Sequence, residues 1–164
     1  MKEDSILSII YTFFVGLLLA VFVGFGINTF YTAPPAPEFP SVLNIVGKEP
    51  SSEQIAAQNK FDSQNRAYQA AMKPYNRNVS IMALGAAIIL LAISLIFEHR
   101  IRFIADGVML GGLFTLVYSL IRGFASGNSR YIFVVISIGL VVVLVLGYRR
   151  FVAGHTHFSA RPLH

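Results

Sequence analysis

The hydrophobic positions fall into four long runs divided by polar stretches. Residues 6–31, 79–97 and 131–148 carry no charge, and residues 103–121 carry one, Asp106. A hydrocarbon core of about 30 Å takes roughly 20 helical residues, and all four runs are near that length or longer. Lipid offers no partner to an unpaired backbone amide, so each run must be helical. None shows the alternation of polar and apolar residues that marks a barrel strand. The pattern predicts an all-α integral membrane protein with one membrane domain over residues 1–164. It is a four-transmembrane-helix bundle with spans at 6–31, 79–97, 103–121 and 131–148, and a tail at 149–164.

The first run reads as a retained helix. Signal peptides use about 7–15 apolar residues, and this run has 26. Met1-Lys2-Glu3-Asp4 is not a clearly basic start, and cleavage after Ala33 would set bulky Tyr31 at −3 and Pro34 at +1.

The polar stretch 32–78 is the largest segment outside the runs. It opens with Ala33-Pro34-Pro35-Ala36-Pro37-Glu38-Phe39-Pro40, a proline density that favours an extended polyproline II spacer. After Pro50, Ser51 and Gln54 have the spacing of a capping box. Residues 51–73 then hold no Gly or Pro, and Ala57, Phe61, Gln64, Tyr68 and Met72 share one helical face. The expectation is one amphipathic helix outside the membrane at 51–73, closed or kinked by Pro74. Asn78-Val79-Ser80 has the glycosylation pattern but lies at the start of the second span, and it carries little weight.

Small residues mark the faces by which the spans pack. Gly16, Ala20 and Gly24 recur every four positions in the first span. Gly107, Gly111, Thr115, Ser119 and Gly123 do so in the third. Small side chains let lipid-embedded helices approach closely and gain dispersion energy. Their spacing leaves open whether these faces meet within one chain or between chains.

Composition sharpens the picture. Hydrophobic residues make up 55% and charged ones 13%, about half the charge of a soluble domain. The net charge of +5 comes from basic residues scattered between the runs, which suits lipid headgroups better than nucleic acid. Near the helix ends, Lys2, Arg100, Arg102, Arg149, Arg150 and Arg161 lie on one side. Lys73, Arg77, Arg122 and Arg130 lie on the other. That balance favours cytoplasmic N- and C-termini. The expected location is a plasma membrane, specifically a bacterial inner membrane.

Candidate chemistry is sparse. There is no cysteine, which excludes thiolate catalysis and cysteine metal sites. Asp106 lies near the start of the third span, where a helix N-terminus favours an acid, and Arg102 stands four residues earlier as an ion-pair partner. His155, His157 and His164 sit in a basic tail that contains no carboxylate, short of the ligands a catalytic zinc uses. No nucleophile triad, phosphate loop or dinucleotide fingerprint occurs. No catalytic residue, cofactor or metal is expected. The reading is a non-enzymatic accessory, assembly or scaffold subunit acting through helix packing and its outer loop. The alternative is a small oligomeric channel or transporter. The expected partners are the lipid bilayer and either another membrane protein or a second copy of this chain.

Overall fold

A computed structural model of the chain describes residues 3–41, 51–97 and 102–151. It contains four helices: α1 Glu3–Phe30, α2 Ser52–Phe97, α3 Arg102–Ala125 and α4 Ser129–Phe151. No strand occurs among the described residues. All four helices are long and apolar enough to cross a membrane. The chain is therefore a membrane protein by length and composition.

Helix α3 is the centre, with α2 and α1 packed closely on it and α4 more lightly attached. Small residues make this possible. Ala83, Ala87 and Ala105 are fully buried, as are Ser80, Thr115 and Ser119. Leu84, Ala87, Leu116 and Val135 form an apolar cluster that joins α2, α3 and α4, with Leu120 and Tyr131 against it. The outer faces of α1 and α4 stay apolar and exposed, Phe22, Phe25, Phe133 and Leu144 among them. Such faces suit lipid, which is as apolar as leucine.

The structure corrects the expectation of a separate outer helix at 51–73. Residues 52–73 and the second span are one helix, and Pro74 lies inside it. Proline lacks an amide hydrogen and clashes with the preceding turn, at about 3 kcal/mol in a helix interior. Packing outweighs this, because Tyr75, Asn76, Val79 and Ser80 are all buried immediately after it. Pro74 itself is exposed, so water can reach the carbonyl it leaves unmatched. With 46 residues, α2 is about 69 Å long at 1.5 Å per residue. A core of about 30 Å can hold less than half of it.

The expected capping box is present. The Ser51 amide donates to Gln54 Oε1 at 2.9 Å, and the Gln54 amide donates to Ser51 Oγ at 3.2 Å. The expected face is also present with one change: Ala57, Phe61, Tyr68 and Met72 are half-buried, but Asn65 takes the place read for Gln64, which is exposed.

Candidate functional site

Two features of the region around Pro74 stand out, a proline strap and a belt of polar side chains. Along the strap, the half-buried residues are Tyr31, Pro34, Pro37 and Pro40, with exposed pairs between them. A period of three is that of a polyproline II helix. At its start, the Tyr31 and Tyr75 rings stack with centroids 5.2 Å apart and planes 2° from parallel. Asn78 Nδ2 donates to the Tyr31 hydroxyl at 2.8 Å, and the Tyr75 hydroxyl donates to the Tyr31 carbonyl at 3.4 Å. Near its end, the Phe39 ring meets Phe61 edge-on at 5.3 Å. The strap thus runs back along α2 toward its N-terminus. The lengths agree: eight residues of polyproline II cover about 25 Å, and the fourteen helical residues from Phe61 to Tyr75 cover about 21 Å. A groove of about 780 Å³ between Pro37, Phe39, Pro40, Ala57, Lys60 and Phe61 marks where strap and helix meet.

The polar belt links the helices at the level of Pro74. Arg122, in the last turn of α3, donates through Nη1 to Asn76 Oδ1 at 3.0 Å and through Nε to the Tyr118 hydroxyl at 3.1 Å. Its guanidinium also lies 5.4 Å from the Tyr118 ring centroid and 5.8 Å from that of Tyr75. A cation in this position suits the negative end of the α3 dipole. Asn76 Nδ2 donates to the Ala125 carbonyl at 3.4 Å, pairing one of the terminal carbonyls that a helix end leaves open. One turn deeper, Ser80 and Ser119 exchange bonds. Each hydroxyl donates to the other residue's carbonyl at 2.8 Å. The Tyr131 hydroxyl donates to the Arg77 carbonyl at 3.2 Å and ties α4 to the same level.

The predicted packing residues divide between two interfaces. Gly16, Gly107 and Gly111 meet where α1 crosses α3. A Cβ added at Gly16 would lie 2.9 Å from Leu110 Cβ. At Gly107 it would lie 2.7 Å from Val15 Cγ1, and at Gly111 2.9 Å from Leu19 Cβ. Ser119 and Gly123 face α2 instead, and a Cβ at Gly123 would lie 3.2 Å from Ser80 Oγ. A stripe at every fourth residue advances about 40° round the helix per step, so its two ends face different neighbours. Thr115, between them, is buried and donates to the Gly111 carbonyl at 2.8 Å. Ala20 is half-buried, and a Cβ at Gly24 would have nothing within 4 Å. Gly112 was not singled out from sequence, yet a Cβ there would lie 2.7 Å from Leu91 Cδ2. Asp106 is half-buried in the first turns of α3, beside Gly107. The Arg102 side chain lies outside the described residues, as do His155, His157 and His164. Asn78 of the sequon has its amide committed to Tyr31, and Val79 and Ser80 beside it are buried.

No group of three metal-binding side chains occurs among the described residues. No family model, curated protein or solved structure matches the chain.

Proposed function

We propose that the chain is a non-enzymatic accessory, assembly or scaffold subunit of a plasma membrane, in a bacterium the inner membrane, with both termini cytoplasmic. The observation that carries this reading is the continuity of α2. Its first 22 residues, 52–73, extend past the apolar part of the helix as an arm about 33 Å long. The strap stiffens that arm along one face, while Gln58, Asn59, Lys60, Ser63 and Arg66 remain exposed on it. The glycine face of α3 is occupied by α1 of the same chain, so a partner would be met through the arm and the outer helix faces.

The test is a mild-detergent pull-down from native membranes at native expression level, read by native mass. The expected result is a stoichiometric foreign partner that is lost on Lys60→Glu with Arg66→Glu. A clean homo-oligomer without a partner overturns the reading and favours the channel or transporter. Orientation has its own test. A cysteine at Ser63 should be labelled by an impermeant reagent in intact cells, and labelling only after lysis would invert the topology.

A further inference from the structure

Beside the polar belt lies an open pocket of about 610 Å³, within the range of small-ligand sites. Lys73, Pro74 and Arg77 of α2 form one wall. The turn Ser126-Gly127-Asn128 and the first residues of α4, Ser129 and Arg130, form the other. Three cationic side chains from two helices therefore border one cavity, and no carboxylate lines it. Among the described residues, none of the three has an ion-pair partner.

The turn gives the pocket its shape. Ser126 Oγ and the Ser126 amide both donate to the Gly123 carbonyl, at 2.7 and 3.1 Å. Gly127 takes φ +68°, a conformation that suits glycine, and a Cβ added there would lie 3.8 Å from Lys73 Cε. Asn128 Oδ1 accepts from the Arg130 and Tyr131 amides at 3.1 and 3.2 Å. The Arg130, Tyr131 and Ile132 amides at the α4 start are thus already engaged. The side chains of Lys73, Arg77 and Arg130 are the cationic groups there that can receive an anion.

The position of the pocket bears on which anion it would meet. It lies where the apolar parts of α2, α3 and α4 end, level with the Tyr131 to Arg77 hydrogen bond. On the membrane reading, the headgroup phosphates would meet the chain at this level. We propose that the Lys73, Arg77 and Arg130 pocket holds the phosphate of an anionic phospholipid. This rests on the membrane reading given above. Basic pockets between membrane helices hold such headgroups by charge, with bidentate arginine bonds adding geometry.

The experiment begins with carbonate-washed membranes. The full chain is then moved into bilayer discs of phosphatidylglycerol and phosphatidylcholine, and retained lipid is read by native mass. The wild type should keep phosphatidylglycerol in preference to phosphatidylcholine. Lys73→Gln with Arg77→Gln and Arg130→Gln should lower that retention about tenfold or more. Lys60→Gln with Arg66→Gln removes charge from the arm and should not lower it. Equal retention in the two variants overturns the site while leaving the membrane reading intact. Displacement of the lipid by excess inorganic phosphate assigns the pocket to soluble phosphate ligands and overturns the lipid occupant. Recovery of the chain in the carbonate wash overturns the membrane reading, and the site falls with it.

Discussion

The two halves of α2 share one unbroken backbone and obey different rules. From Tyr75 to Phe97 the helix is held by close approach. Ser80, Ala83, Ala87 and Ser94 are small among its nine buried side chains, and Gly112 of α3 lets Leu91 seat against a bare backbone. From Ser52 to Lys73 no position is fully buried, and the helix has a capping box, local polar pairs and a proline strap instead. Starting a helix is costly, because its first turn fixes several residues for one hydrogen bond. Continuity with the packed half spares the arm a nucleus of its own.

Four substitutions test that asymmetry, in descending size of effect. Gly112→Leu should be the most damaging, since its Cβ alone would lie 2.7 Å from Leu91 and 3.3 Å from the Ala87 carbonyl. Overpacking of this kind costs about 1–3 kcal/mol or more. It should appear as a lower melting temperature in detergent, whereas Gly85→Ala, with nothing within 4 Å, should leave that temperature unchanged or raise it. Arg122→Gln should follow. It removes the charge shared by Asn76, Tyr118 and Tyr75 and leaves buried polar groups without it, at about 1–3 kcal/mol. Protease access to the turn at residues 126–128 should rise in this variant.

Ser51→Ala should have an effect of about 1 kcal/mol, confined to the first turns of the arm. Faster hydrogen exchange near residues 52–58 with an unchanged melting temperature is the expected signature. A drop in global stability would mean that the arm supports the bundle rather than the reverse. Smallest of the four is Ser119→Ala, since hydrogen bonds between membrane helices average about 0.6 kcal/mol. The reciprocal geometry predicts that adding Ser80→Ala costs little more, which a double-mutant cycle would read directly.

The spans were legible in the sequence because lipid imposes length and apolarity on each helix separately. The capping box was legible because its two residues are three apart. Continuity of α2 was not, since Pro74 read locally as a terminator, and the packing that overrides it comes from Tyr31 and Arg122, both distant in sequence. The belt was hidden for the same reason: Asn76 and Arg122 are 46 residues apart. Tyr118 and Arg122, four apart on one helix, were its only local trace. Gly112 escaped notice because the stripe beginning at Gly107 passes it by one position, which turns it by about 100° to face another neighbour.

A long rod converts angle into distance. With about 33 Å of α2 on the N-terminal side of Pro74, a tilt of about 10° in the half packed on α3 would sweep the tip sideways by about 6 Å. Pro74 is the fulcrum, the one position where the rod lacks a backbone tie. The strap spans that fulcrum from Tyr31 to Phe39, as a stay braces a mast. Small adjustments in how α2 leans on α3 are thereby amplified at Ser52, far from where they arise.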